Sequence, residues 1–247
     1  MSDLYLVTGA SSGIGLSICR NLLFSGHRVV GIARTEKAGI QELLSEYSDS
    51  FYFCSRNLAE DIDGLSRLPI QLAKQYGKFS GLVHAAGVLS VLPNRFNSHD
   101  KMLETFNLNV FSGLALSRGI SDKRVCNELG ASIVFISSIA ASVGATGTVN
   151  YGASKASLIG AAKSLAKELA AQNIRVNTIS PGLIKTELTN NYHDTDFFER
   201  LESVYPLGLG EVEYIADAAE FLLSNKSKWI TGIDLVVDGG ITLGINE

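Results

Sequence analysis

Four residues, Leu4-Tyr5-Leu6-Val7, run straight into Thr8-Gly9-Ala10-Ser11-Ser12-Gly13-Ile14-Gly15, and an amphipathic segment continues to Phe24. A buried strand, a tight glycine turn and a helix account for that order. Glycines let a backbone approach a ligand closely, and a helix N-terminus offers free N–H groups and a partial positive charge. The turn holding Gly9, Ser11, Ser12, Gly13, Ile14 and Gly15 is therefore a candidate phosphate cradle. The same alternation repeats along the chain. Apolar runs at 28–33, 50–54, 81–84, 132–136, 174–180 and 235–237 alternate with helical patterns at 62–75, 100–121, 151–172 and 211–223. Right-handed crossovers then give a parallel sheet with helices on both faces. The expected fold class is α/β, a doubly wound, Rossmann-like sheet of seven parallel strands in the order 3-2-1-4-5-6-7.

Composition agrees with a sheet buried on both faces. Apolar residues make up 46% of the 247 residues, and mean hydropathy is +0.18. No Gly/Ser/Pro-rich linker interrupts the chain, so one domain over 1–247 is expected. Net charge is −4 with no basic stripe, which argues against a nucleic-acid partner. Cys19, Cys54 and Cys126 are odd in number and widely spaced, forming neither a disulfide framework nor a metal motif. No signal-peptide pattern and no apolar run of roughly 20 residues is present, so a cytoplasmic protein without a membrane partner is expected.

Gly9-Ala10-Ser11-Ser12-Gly13 also matches G-x-S-x-G, the turn that carries a hydrolase nucleophile, with Ser11 in that role. A hydrolase would need an acid and then a histidine downstream. Of His27, His84, His99 and His193, only His193 lies late in the chain. The motif stays open as an alternative.

Tyr151-Gly152-Ala153-Ser154-Lys155 opens the most alanine-rich segment of the chain. Residues four apart share a helix face, so Tyr151 and Lys155 point the same way. A phenol ordinarily titrates near 10, and a neighbouring ammonium favours its ionised form, so the pair reads as a tuned acid/base. Ser138 ends the fifth strand, where open α/β sheets bind ligands, and can hydrogen-bond a carbonyl. Asn109 falls inside the pattern at 100–121 between apolar neighbours, although asparagine is a poor residue within a helix. The small residues Ala85-Ala86-Gly87 after the fourth strand fit a backbone passing beside a ligand. The second strand ends at Ala33-Arg34 with no carboxylate before Glu36, and Lys37 adds charge. A carboxylate there would bind the 2′-hydroxyl of NAD, whereas Arg34 suits the 2′-phosphate of NADP. NADP(H) is thus expected over NAD(H). Ser164-x-x-Lys167 reads as incidental. The segment 190–205 reads as a mobile lid.

Together these motifs resemble the short-chain dehydrogenase/reductase family. Thr8-Gly9-x-x-x-Gly13-x-Gly15 is similar to its cofactor turn, and His84-Ala85-Ala86-Gly87 stands where the family usually has Asn-Asn-Ala-Gly. Asn109, Ser138, Tyr151 and Lys155 fall at its catalytic spacings, and Pro181-Gly182 and Thr186 match its nicotinamide-side loop. The ending 231–240 looks most like 3-oxoacyl-[acyl-carrier-protein] reductases. Asn57 stands where the family often has an aspartate near the adenine, and Ser12 where NADP users often have a basic residue. Lys123 and Arg124 lie a little before the place where the acyl-carrier reductases carry basic residues. The resemblance implies hydride transfer between nicotinamide and a carbonyl or alcohol, with a small-molecule or acyl-thioester substrate and no metal. It implies that Tyr151 donates the proton, that Lys155 lowers the tyrosine pKa and binds the nicotinamide ribose, and that Ser138 polarises the carbonyl. Asn109 would hold, through its main chain, a water linked to Lys155. The implied cofactor site adds Leu58 and Ile184 to Asn57, Arg34, Ala85, Ala86, Gly87, Pro181, Gly182 and Thr186. The family's usual assembly implies a homotetramer, or a homodimer. The alternatives are a sugar or secondary-alcohol dehydrogenase, and a dinucleotide-binding sensor without turnover.

Overall fold

The computed structural model describes residues 2–190 and 195–244. In chain order it runs β1 (Leu4–Thr8), α1 (Gly13–Phe24), β2 (Arg28–Ala33), α2 (Ala38–Glu46) and β3 (Phe51–Ser55). Then come α3 (Ile62–Leu65), α4 (Leu68–Tyr76), β4 (Gly81–His84), α5 (His99–Phe106), α6 (Ser112–Ile120) and β5 (Ala131–Ile136). It closes with α7 (Val149–Leu169), β6 (Ile174–Pro181), α8 (Glu187–Asn190), α9 (Thr195–Glu202), α10 (Val212–Leu223) and β7 (Asp234–Val237).

The sheet order is β3-β2-β1-β4-β5-β6-β7, and every neighbouring pair is parallel. This is the expected order. Each strand sends alternate side chains to opposite faces, and both faces are covered, so β1 and β5 are buried at every position. Leu6, Val30, Leu82, Ile133 and Val176 pack on one face with Leu116 and Ile120 of α6 and Leu158 and Ala162 of α7. Val7, Val29, Val83, Val134 and Ile179 pack on the other with Ile18 and Leu22 of α1 and Ile215 and Ala219 of α10. The order turns back between β1 and β4, and in such sheets the ligand crevice lies there, at the carboxyl ends of the strands.

Four segments differ from the periodicity. The helix expected at 62–75 is two helices, because Pro69 has no N–H and its ring would meet the carbonyl of Leu65; α4 restarts with the proline at its beginning. The helix expected at 100–121 is divided by a π-turn at Asn107–Phe111. The sequence left α2 unmarked, since its two buried residues, Ile40 and Leu43, are too few to set a period. The segment 190–205, read as a mobile lid, contains α9, whose Phe198 is buried. Residues 191–194, with His193, lie outside the described residues. No described helix is long and apolar enough to cross a membrane.

Candidate active site

β1 delivers Thr8 to the edge of the crevice. Its Oγ1 accepts the N–H groups of Ala85 and Ala86 at 3.1 and 3.0 Å and lies 3.0 Å from Nδ1 of His84. The glycine turn is thereby tied to the end of β4. Gly9 takes φ +71, and a Cβ on Gly15 would fall 2.3 Å from the Gly9 carbonyl oxygen, so this turn closes only without side chains. Ser12 caps α1 from an extended backbone, its side chain makes no capping bond, and the first turn holds no carboxylate. The first N–H groups of α1 are left for an anion, and the backbone leaves room where a Cβ would stand. These features fit a dinucleotide pyrophosphate. Thr186 closes from the far side, its Cγ2 3.5 Å from the place of a Gly13 Cβ.

Other expected cofactor residues are placed unevenly. Arg34 is exposed just past β2, and among the described residues its guanidinium has no ion-pair partner. Leu58 and Ile184 turn their side chains into the two cores. The carboxamide of Asn57 is engaged locally, donating to Glu60 at 2.7 Å and accepting from the Ala59 N–H at 3.1 Å. Only the backbone of Leu58 and Ile184 is left to meet a ligand, because burial of their side chains removes them from the crevice.

The proton-handling groups converge on the start of α7. Its buried residues Asn150, Ser154, Leu158, Ala162 and Ala166 recur every four positions, with Lys155 beside them, so Lys155 enters the core while Tyr151 stays at the surface of the crevice. Lys155 Nζ donates to the Ile136 carbonyl at 2.8 Å and lies 5.6 Å from the Tyr151 ring centroid. Burial lowers the Lys155 pKa to about 8. Burial also raises the Tyr151 pKa, opposed by the hydroxyl of Ser138. The ammonium lies over the ring and donates to the Ile136 carbonyl, while burial is the largest influence on the phenol.

Asn109 is fully buried, and its carboxamide is a clamp. It accepts from the Val88 N–H at 2.8 Å and donates to the Val88 carbonyl at 3.1 Å and to Ser154 Oγ at 2.9 Å. Its Oδ1 and Lys155 Nζ both lie 3.3 Å from where a Gly87 Cβ would stand. Gly87, Asn109 and Lys155 thus share one small volume. This is why asparagine sits within the helical pattern: from the π-turn its amide reaches Val88, in the segment after β4, and Ser154 of α7.

A family model described as enoyl-(acyl carrier protein) reductase matches residues 9–242. A 3-oxoacyl-[acyl-carrier-protein] reductase of Buchnera aphidicola is 33% identical over 238 residues, covering 95% of each chain. The chain belongs to the short-chain dehydrogenase/reductase family. Solved structures agree. A blue fluorescent protein from a metagenomic library, in complex with NADPH, superposes with TM-score 0.88 at 28% identity over 97% of each chain. A 4-hydroxyisoleucine dehydrogenase complexed with NADH superposes with TM-score 0.85 at 28% identity, over 98% of this chain and all of that one.

Membership in this oxidoreductase family displaces the hydrolase reading of Ser11. The short-chain dehydrogenase/reductase site also depends on residues the sequence did not single out. Ser137 Oγ donates to the Lys155 carbonyl at 2.9 Å, and Ser154 Oγ donates to the Tyr151 carbonyl at 2.7 Å. Thr8, quoted as the start of the glycine motif, proves to be its anchor. Serines within helices and at strand ends are common, and no spacing distinguishes these from surface ones.

Proposed function

We propose that this protein is an NADP(H)-preferring carbonyl reductase in which Tyr151 is the proton donor, Ser138 orients the substrate carbonyl, and Lys155 and Asn109 support the transfer. The observation that carries the reading is the meeting of Ser138, Tyr151, Lys155 and Asn109 beside the glycine turn. A non-catalytic dinucleotide sensor would have no use for that set.

A bound nicotinamide supplies hydride to the carbonyl carbon. The phenol of Tyr151, kept protonated by burial, gives its proton to the oxygen as negative charge develops there. The Ser138 hydroxyl, already a partner of that phenol, donates to the same oxygen, and such help aimed at charge present only in the transition state accelerates the step. Lys155 holds a proton that burial has loosened, close to the ring it serves, and so can resupply it near neutral pH. Its ammonium also suits the ribose hydroxyls of the cofactor.

Preference for NADP rests on Arg34. Lys37 is paired with Glu187 at 2.5 Å, and Arg56 with Asp61 at 3.1 Å, so neither cation is free to the same degree. The substrate is a carbonyl compound, with 3-oxoacyl thioesters the first to try. Delivery by an acidic carrier protein has less support. Arg124 is held by Asp122 through two bonds of 2.9 and 2.6 Å, so of the two cations ahead of β5 only Lys123 has no ion pair among the described residues. A homotetramer in the cytoplasm completes the reading. Ala153, Ala156 and Gly160 leave the outer face of α7 smooth for a second copy, and light scattering tests this. The decisive experiment is NADPH oxidation with β-ketoacyl thioesters, sugars, quinones and simple ketones. Turnover with a carbonyl class, lost in Tyr151→Phe, is the expected result. NADPH binding without turnover on any of them supports the sensor instead.

A further inference from the structure

His84 is a fully buried titratable side chain that the proposed chemistry leaves unused. It ends β4 directly beneath the crevice. Thr8 Oγ1 already accepts two backbone N–H groups, so its own proton must go to His84 Nδ1. A neutral imidazole with Nδ1 as acceptor carries its hydrogen on Nε2. Burial, and then the charge on Lys155, hold the ring pKa down to about 3, so it is neutral throughout the working range.

The other edge of the ring faces the π-turn. A Cβ on Gly113 would lie 2.6 Å from His84 Cδ2 and 3.0 Å from Nε2, so the glycine opens the space the imidazole occupies. Nε2 has no hydrogen-bond partner among the described residues, while the backbone of Asn109 and Leu108 favours protonation of the ring against its burial. The Leu108 carbonyl already accepts from Ser112 Oγ at 2.7 Å, which leaves that of Asn109 as the freer acceptor. A π-turn disrupts the regular helical ladder, so a donor held against it has a local effect on its geometry.

We propose that His84 is a positioning residue: anchored at Nδ1 by Thr8, it presents Nε2–H to the π-turn, to the Asn109 carbonyl first, and thereby ties the glycine turn to the clamp that aligns Asn109, Ser154 and Lys155. A hydrophobic residue of the same shape would fill the space and leave the turn without its donor. An asparagine would reach Thr8 but not the turn.

The inference rests on the proposed reductase activity for its kinetic test and stands apart from it in a second test. In ligand-free protein labelled with ¹⁵N-histidine, His84 gives a single neutral ring protonated at Nε2 from about pH 5 to 8. A proton on Nδ1, or a charged ring, overturns the proposal. In His84→Asn, amide exchange across 107–111 accelerates relative to that of α6; unchanged exchange overturns it. Where the wild type reduces a carbonyl, His84→Phe and His84→Asn lower kcat about tenfold, as small misplacements at a reacting centre do, with KM for NADPH unchanged. The solvent deuterium isotope effect on kcat also rises, because proton transfer becomes slower than the other steps. A fall in kcat without that rise makes His84 a packing residue and overturns the proposal, as does an unchanged kcat. If His84→Phe does not fold, His84→Asn decides. Absence of all wild-type turnover sinks the reductase reading alone, and the ring and exchange measurements still judge His84.

Discussion

Lys155 stands over the ring of Tyr151, Nζ 5.6 Å from the centroid, and donates to the carbonyl of Ile136 at 2.8 Å. The two residues are one turn apart on α7, and the helix period alone brings them together. What the period does not fix is the strand end beneath them. The Ile136 carbonyl draws the ammonium inward, and the Ser138 hydroxyl, two residues further on, favours ionisation of the phenol against its burial.

Tyr151→Phe keeps the ring and removes the acid. Carbonyl reduction falls by roughly a hundred- to ten-thousand-fold, the usual contribution of a positioned general acid, while NADPH affinity measured by fluorescence stays near that of the wild type. Unchanged turnover would remove Tyr151 from the mechanism.

Lys155→Met tests the cost of the buried charge. The folded protein releases this proton near pH 8, and the unfolded chain near 10.5. Between those values the unfolded state binds more protons, so wild-type stability rises with pH through that window, and below about pH 8 the whole penalty is present. Lys155→Met is therefore inactive yet more stable than wild type near pH 7, by on the order of 1 kcal/mol after loss of the bond to Ile136. Its advantage shrinks toward about pH 10. Thermal unfolding at the two pH values checks both signs.

Arg34→Ala separates the two cofactors. On the proposed reading the Arg34 guanidinium, which has no ion-pair partner among the described residues, meets the 2′-phosphate, and charge-assisted pairing is roughly twice as strong as a neutral hydrogen bond. KM for NADPH rises at least about tenfold, and KM for NADH changes little. An equal change in both would refute the phosphate assignment.

Asn109→Ala removes the clamp. It strips the Val88 N–H and carbonyl of their side-chain partner and leaves Ser154 one donor short. Each buried polar group left unpaired costs about 1–3 kcal/mol, so the variant loses at least about 1 kcal/mol in denaturant unfolding, together with most activity. Asn109→Asp, which keeps the acceptor for Val88 and loses the donor, falls between.

Much of the fold was legible because it follows from periodicity and sterics. Apolar runs such as 132–136 and the pattern of α7 fix strand and helix, Gly9 and Gly15 fix the turn, and crossover handedness then gives the strand order. The break at Pro69 was also written in the sequence, though a period measured over 62–75 averages across it. The π-turn was not, since nothing in Asn107–Phe111 differs from an ordinary helix except one ill-suited asparagine.

By itself the sequence determined the sheet, the glycine cradle and the pairing of Tyr151 with Lys155, because these depend on residues near one another in the chain. Only the tertiary structure decided which groups each of them meets. Leu58 and Ile184 went to the cores, Asn57 to Glu60, and the Lys155 proton to Ile136. It also brought Thr8, His84, Asn109 and Ser154 together from four separate segments. Those choices depend on desolvation and on competition for hydrogen-bond partners across 76 residues in the case of Thr8 and His84, and no local pattern records them.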